Sequence, residues 1–215
     1  MILQDIRNQI PLHADPNYRY RVRNLAKIKM IVLHCDNWDA DVQVIADYDI
    51  KPNHISDKGC PGFTYHYFVE KDDRVLWCMD DSLCTWHAGD YNGESLGVSL
   101  RYIADNNPKP PPDNQLATAM THMAMLCLKY GIDPDNIFGH RELLGSGYII
   151  EDGKRKLKKT CPGLLVNMDL VRYNIALAVQ TQLKTVGLYK GKLDGMFGPA
   201  SEAALKEYVK LSNHA

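Results

Sequence analysis

The chain has 215 residues, enough for one domain of moderate size with a small appendage, and its 45% hydrophobic and 24% charged content is ordinary for a globular protein. Its formal net charge of −1 and pI near 6.7 argue against charge-driven binding to nucleic acid or anionic lipid. The first residues lack the basic and apolar regions of a secretory signal, and no apolar stretch is long enough to span a bilayer. We therefore expect synthesis in the cytoplasm and no membrane insertion.

The N-terminal part of the chain predicts an extended arm followed by a strand and a helix. Residues 1–27 are polar and contain two prolines, which indicates an arm lying on the domain. The β-branched and apolar run over residues 29–33 predicts a buried strand. Asp39 or Asp41 is suited to cap the helix that follows, because apolar residues recur there at helical spacing.

The middle of the chain predicts a hairpin, a further strand and a longer helix. Residues 64–70 and 74–78 flank a Lys-Asp-Asp turn and therefore predict a β-hairpin. A strand is expected over residues 95–102, and a helix that begins near residue 113 is closed by Gly131. Strands that alternate with helices predict an α/β fold with a mixed central sheet and helices packed on it, followed by a small C-terminal helical module.

Three residues far apart in sequence suit a metal site. His34 ends an apolar run, His140 follows another short apolar approach, and Cys161 lies in a turn with proline and glycine. Two imidazoles and one thiolate are ligands that Zn²⁺ accepts, and three protein ligands leave a fourth position open for water, which is typical of a catalytic site. Spacing alone does not join these residues, and each one taken singly has an ordinary structural interpretation.

Six short segments follow one another along the chain, between about residues 28 and 172. They are Val32-Leu33-His34-Cys35, Thr64-Tyr65-His66-Tyr67-Phe68, Trp86-His87-Ala88-Gly89 with Asn92, Ser95-Leu96-Gly97-Val98, Gly139-His140-Arg141-Glu142 and Lys159-Thr160-Cys161-Pro162. In this order they resemble the zinc-dependent N-acetylmuramoyl-L-alanine amidases of the type-2 family. That family includes podophage amidase lysozymes and the peptidoglycan recognition proteins (PGRPs). The resemblance implies cleavage of the amide between N-acetylmuramic acid and L-alanine, with Zn²⁺ held by His34, His140 and Cys161.

The same resemblance implies roles for five further residues. Lys159 matches the catalytic lysine of the family, where an ammonium stabilises the developing oxyanion. Tyr65 matches the catalytic tyrosine, which orients a water or passes a proton to the leaving nitrogen. His87 and Asn92 are assigned to substrate contact, with a structural hydrogen-bonding role as the alternative. Glu142 is expected to orient a metal ligand, or else to face solvent.

The resemblance divides the chain into three parts. Residues 1–27 form the arm and residues 28–172 the zinc amidase domain. Residues 173–215 contain Tyr189-Lys190-Gly191 and Leu193-Asp194-Gly195-Met196-Phe197-Gly198-Pro199 between two predicted helices, and they resemble a small helical peptidoglycan-binding module. The alternative for the last part is a helical hairpin that caps the catalytic sheet. Within the second part, residues 143–158 are an insertion relative to the podophage enzymes, and their glycine and charge content predicts a flap, in the form of a small hairpin, on the rim of the groove.

The six cysteines do not require a disulfide framework, because a chain of this length has core enough without one. Cys127 falls on the apolar stripe of a predicted helix and is expected in the core. Cys78 and Cys84 are expected to be reduced. A second zinc site from Cys60, Cys78, Cys84 and His54 is disfavoured, since their spacing fits no CxxC pattern.

The expected function is that of a monomeric phage or prophage endolysin that acts on bacterial peptidoglycan and stays in the host cytoplasm until it is released to the cell wall. A PGRP without catalytic activity is one alternative, but such receptors commonly lack the thiolate that Cys161 provides. A cytosolic amidase that recycles muropeptides is another, although that branch tends to use aspartate at this position. A secondary role in binding a polymerase finds no matching residues in the arm.

Overall fold

The computed structural model describes residues 1–104, 109–143, 148–151, 154–157 and 159–212. Within these residues a central sheet is covered by helices on both faces. The sheet strands are β1 (Ile2–Asp5), β2 (Met30–Cys35), β3 (Tyr67–Val69), β4 (Arg74–Trp77), β5 (Ser95–Leu100) and β6 (Ile137–Gly139). The α-helices are α1 (Val42–Asp49), α2 (Asp113–Tyr130), α3 (Met168–Thr185) and α4 (Pro199–Ser212).

The sheet is mixed, as predicted. Its strand order is β1-β4-β3-β5-β2-β6, and β3 pairs with β4 antiparallel while the other neighbours pair parallel. The predicted hairpin is therefore present, and Asp73 in its turn has a φ of 67°. Gly131 closes α2 as expected, because its φ of 68° is a left-handed conformation that glycine adopts without steric cost.

The strand β2 positions the site. Ile31, Val32 and Leu33 are fully buried, as expected of a central parallel strand with both faces covered. This strand lies between β5 and β6 and runs parallel to both. The carboxyl ends of β2 and β6 therefore meet at the same edge of the sheet, and His34 and His140 lie at that edge.

The first 27 residues take part in the sheet and its core. The strand β1 is exposed and extends the sheet by pairing parallel with β4. Ile6, Ile10 and Tyr20 are buried in an apolar cluster that also contains Phe63. The expected arm thus lies on the domain, and it contributes an edge strand that its polar composition did not predict.

The C-terminal helices pack against α2 and share its core. Ile175, Val179 and Leu183 of α3 are fully buried in the same apolar cluster as the sheet residues Ile31 and Leu33. The boundary predicted between residues 172 and 173 falls inside α3, which continues unbroken from Met168 to Thr185. A separate binding role for this part stays a prediction.

The insertion forms the predicted hairpin in its described residues. The strands β7 (Tyr148–Glu151) and β8 (Lys154–Leu157) pair antiparallel. The remaining insertion residues 144–147, 152–153 and 158 lie outside the described residues, and the role of a flap stays a prediction. All six cysteines are free, and Cys127 is fully buried as expected. No helix in the described part of the chain has the length and apolar character to cross a membrane.

Candidate metal centre

Among the described residues, one group of side chains has the composition and spacing of a metal site, and it is the predicted one. One ligand atom each from His34, His140 and Cys161 lies within 4.8 Å of the others. The Nδ1 atom of His34 is 3.6 Å from the sulfur of Cys161, and the rings of His34 and His140 have centroids 4.7 Å apart. Two imidazole nitrogens and a thiol sulfur that converge in this way fit a zinc ion with one position left open.

Local backbone contacts hold the third ligand in place. The backbone N–H of Cys35, at the end of β2, donates to the sulfur of Cys161 at 3.1 Å. The backbone N–H of Arg141, directly after His140, donates to the carbonyl of Cys161 at 2.9 Å. The loop that carries Cys161 is thereby connected to the end of β2 and to the turn after β6, although more than 120 residues separate it from His34.

Burial keeps the side chains of the three candidate ligands neutral. It lowers the pKa of His34 well below its usual value, and it lowers the pKa of His140 to about 4, with help from the nearby charge of Lys159. Burial raises the pKa of the Cys161 thiol, while the charge of Lys159 and the N–H of Cys35 act in the opposite direction. Two neutral imidazoles can ligate a cation here without losing a proton, whereas the thiol of Cys161 must lose its proton to bind it.

The two predicted catalytic residues lie beside this group. The ring of Tyr65 has its centroid 4.9 Å from that of His34, and burial raises the pKa of its phenol well above the usual value. Tyr65 therefore stays a hydrogen-bond donor over the physiological range. The side chain of Lys159 is exposed, and its charge acts on His34, His140 and Cys161 alike.

The residues predicted for substrate contact make protein contacts. The Nδ1 atom of His87 lies 3.1 Å from Nε2 of His34, and its Nε2 atom lies 3.2 Å from the hydroxyl of Ser95. The side-chain oxygen of Asn92 accepts hydrogen bonds from the backbone N–H groups of His87 and Ala88 at 3.1 and 2.6 Å. Asn92 thus shapes the loop that presents His87. Substrate contact by either residue stays a prediction.

Glu142 acts on the backbone before His140. Its carboxylate accepts from the N–H of Gly139 at 2.7 Å and forms a bidentate ion pair with Arg172 of α3, at 3.0 and 3.1 Å. The contact fixes the turn that carries the ligand. Orientation of a metal ligand through this turn stays a prediction.

Three residues of the site's surroundings were missed from the sequence, namely Ser95, Arg172 and Arg23. Arg23 is buried, and its guanidinium donates to the carbonyls of Asn92 and Ser95 at 3.0 and 2.6 Å. No local pattern marks Arg172 or Arg23, because their partners at the site are 30 to 72 positions away. Of the three, only Ser95 could have been identified from the sequence, because it is the first residue of one of the six segments that match the family.

The sequence model of the N-acetylmuramoyl-L-alanine amidase family, Amidase_2, matches residues 24–164. The chain belongs to this family. The match contains β2, which carries His34, the turn after β6, which carries His140, and the loop that carries Cys161, so the three candidate ligands lie within the family region. No curated protein sequence matches the chain.

Solved structures of similar fold come from lytic enzymes and from a recognition protein. The N-acetylmuramoyl-L-alanine amidase LysC from Clostridium intestinale URNW is 16% identical with a TM-score of 0.58, covering 81% of this chain and 97% of LysC. The Ph2119 endolysin from the Thermus scotoductus MAT2119 bacteriophage Ph2119 is 23% identical with a TM-score of 0.57, covering 79% of this chain and 96% of the endolysin. Wild-type Drosophila PGRP-LB is 18% identical with a TM-score of 0.50, covering 75% of this chain and 87% of PGRP-LB. At these identities the likeness shows that the amidase-family chain shares their fold.

Proposed function

We propose that this amidase-family protein is a zinc hydrolase that cleaves the amide between N-acetylmuramic acid and L-alanine in bacterial peptidoglycan. The observation that carries the proposal is the convergence of His34, His140 and Cys161 within 4.8 Å, inside the region that matches the family. The thiol favours an enzyme over a receptor, because a third strong ligand holds the metal while one position stays open.

The metal and the protein side chains have separate tasks. A zinc ion held by His34, His140 and Cys161 supplies a Lewis acid and an activated water for amide hydrolysis. The protein keeps both imidazoles neutral through burial, and it places the N–H of Cys35 against the sulfur, which favours the thiolate.

Lys159 and Tyr65 act on the scissile amide. The ammonium of Lys159 stabilises negative charge on the carbonyl oxygen as the carbon becomes tetrahedral, a contribution of about 3 kcal/mol by analogy with other oxyanion donors. Tyr65 remains protonated because it is buried, and its hydroxyl is suited to orient the attacking water or to donate to the leaving nitrogen. The amine then departs as a neutral group.

The biological setting that suits this activity is lysis. An endolysin of a phage or prophage would be made in the host cytoplasm and released to the wall, where it acts as a monomer on polymeric substrate.

We propose that the surface after α3 increases the affinity of the protein for the bacterial cell wall. The loop from Asp194 to Gly198 exposes Met196 (74% exposed), and with Tyr173, Asp169 and Arg172 it lines an open cavity of about 540 Å³.

Recognition without catalysis is the second candidate, and the fold shared with PGRP-LB is the observation that favours it. Mass spectrometry of digested sacculi separates the two. Amidase activity releases peptide stems with a free L-alanine amino group and leaves the glycan chains intact. A new reducing sugar end would instead indicate a glycosidase, and unchanged sacculi with the zinc-loaded protein bound would indicate a receptor.

A further inference from the structure

Four residues, three of them buried, form a hydrogen-bonded series that ends at the candidate metal ligand His34. The hydroxyl of Ser95 lies 2.7 Å from the carbonyl oxygen of Tyr91 and 3.2 Å from Nε2 of His87. The other ring nitrogen of His87, Nδ1, lies 3.1 Å from Nε2 of His34. His34, His87 and Ser95 are 1%, 6% and 0% exposed, so solvent does not compete for these groups. We call these four residues the imidazole relay.

The direction of every hydrogen bond in the relay follows from its first member. A carbonyl oxygen only accepts, so the single hydroxyl hydrogen of Ser95 points at Tyr91. The oxygen of Ser95 then accepts from Nε2–H of His87. A neutral imidazole carries one hydrogen, which leaves Nδ1 of His87 as an acceptor. His34 therefore donates from Nε2–H, and its Nδ1 lone pair is free on the side of Cys161, 3.6 Å from the sulfur.

The fold makes room for this arrangement. Gly97 lies on β5 beside His87, and a Cβ atom at that position would stand 2.8 Å from Cγ of the imidazole ring. The absence of a side chain at Gly97 therefore lets the ring lie flat against the strand. The side-chain oxygen of Asn92 accepts from the backbone N–H of His87. Both ring nitrogens of His87 thus face protein groups, which suits a supporting role rather than substrate contact.

We propose that His87 is a positioning residue that holds His34 in the tautomer whose Nδ1 lone pair faces the metal. The proposal rests on the proposed zinc function and deepens it, since it names a residue outside the ligand set that decides metal affinity. A ligating histidine generally has its second ring nitrogen held by an acceptor, and loss of that acceptor typically weakens metal binding 10- to 100-fold. Here the acceptor is another imidazole, which is itself fixed by Ser95.

The test compares two substitutions at one position. In His87→Asn the amide oxygen takes the place of Nδ1 and still accepts from His34, whereas His87→Ala removes the acceptor. Zinc affinity, measured by competition with a chromophoric chelator, is expected to fall about 10- to 100-fold in His87→Ala and to return to within a few fold of the unsubstituted protein in His87→Asn. Thermal melting of the zinc-free proteins serves as the folding control.

A second measurement does not depend on activity or on bound metal. Nitrogen-15 NMR of the zinc-free protein reports which ring nitrogen of His34 carries the proton. We expect the proton of His34 to lie on Nε2 in the unsubstituted protein and in His87→Asn, and we expect a mixture of the two His34 tautomers in His87→Ala. Equal zinc affinity in all three proteins, or a proton on Nδ1 of His34 in the unsubstituted protein, overturns the inference. If zinc binds as expected but sacculi stay uncut, the proposed function fails and the positioning role stands.

Discussion

The guanidinium of Arg172 forms a two-pronged ion pair with the carboxylate of Glu142, at N–O distances of 3.0 and 3.1 Å. Arg172 belongs to α3, and Glu142 accepts from the backbone N–H of Gly139, immediately before the candidate ligand His140. The helix α3 is therefore connected to the candidate metal centre through Arg172 and Glu142. Its packing affects the site as well as the core.

Replacement of Arg172 by methionine should weaken both stability and metal binding. Methionine keeps the aliphatic bulk but removes the ion pair and the hydrogen bond to the carbonyl of Ile137. We expect the free energy of unfolding to fall by about 1–2 kcal/mol and zinc affinity to fall several fold. Chemical denaturation and chelator competition check this. Asp169→Asn is the matched control, because Asp169 pairs with the same guanidinium but its side chain is 91% exposed, and its effect should be small.

Replacement of Cys161 by serine should remove most of the bound zinc. A neutral hydroxyl is a poorer ligand than a thiolate, so the purified variant should carry much less than the one zinc per chain expected of the unsubstituted protein. Because the thiol must lose its proton to bind, zinc affinity of the unsubstituted protein should rise with pH. Elemental analysis and chelator titration at several pH values measure both effects. Full lytic activity in zinc-free Cys161→Ser would contradict the mechanism.

Replacement of Lys159 by alanine should lower kcat by about 10²- to 10³-fold, because the ammonium stabilises charge that develops only in the transition state. Zinc content and melting temperature should change little. Kinetics on soluble muropeptide measure the effect. Lys158→Ala is the neighbouring control and should be nearly silent; position 158 itself lies outside the described residues. Equal losses in the two variants would show that the lysine was assigned one position wrongly.

Truncation after Ile175 should destabilise the whole protein. The cut removes Val179 and Leu183, both fully buried, together with Leu205, which is 3% exposed. A buried leucine contributes about 2–5 kcal/mol, so the shortened chain should lose its cooperative thermal unfolding.

Wall binding is better tested with Met196→Asp, because Met196 is exposed. This variant should cut soluble muropeptide normally but sediment less with sacculi. Unchanged sedimentation would exclude this loop as the tether.

The buried carboxyl of Asp49 should make stability fall as the pH rises. Burial raises its pKa to about 6, although Thr64 donates two hydrogen bonds to it and His54 lies 3.5 Å away. The folded-state pKa lies above the unfolded value of 3.8, so the stabilisation is complete below about pH 4 and is lost as the pH rises through 6. A shift of this size corresponds to about 3 kcal/mol.

Asp49→Asn should therefore raise the melting temperature at pH 8 and have a much smaller effect at pH 4. The matched control is Asp47→Asn, on the exposed side of the same helix, which should show no such dependence. Melting curves of the three proteins across this pH range measure the difference. A gain at pH 8 equal to that at pH 4 would contradict the burial argument.

The sequence by itself predicted most of the secondary-structure elements and named the candidate ligand set. Apolar runs end at His34 and near His140, and the periodicity of α2 and the turn at Asp73 depend on residues close together in the chain. Such local patterns fix secondary structure, and the order of the six segments indicated the family. The candidate metal ligands could be named before their distances were known, because the chemistry of imidazole and thiol restricts what they can hold.

The tertiary structure decided which side chains support the ligands. Substrate contact by His87 stays a prediction, and the fold places its ring between His34 and Ser95, which joins the loop before β5 to the end of β2. Arg172 reaches Glu142 only because α3 packs across the sheet. Contacts of this kind join residues 8 to 53 positions apart, so no local pattern encodes them. They depend on how strands and helices pack, which the sequence specifies only through the fold as a whole.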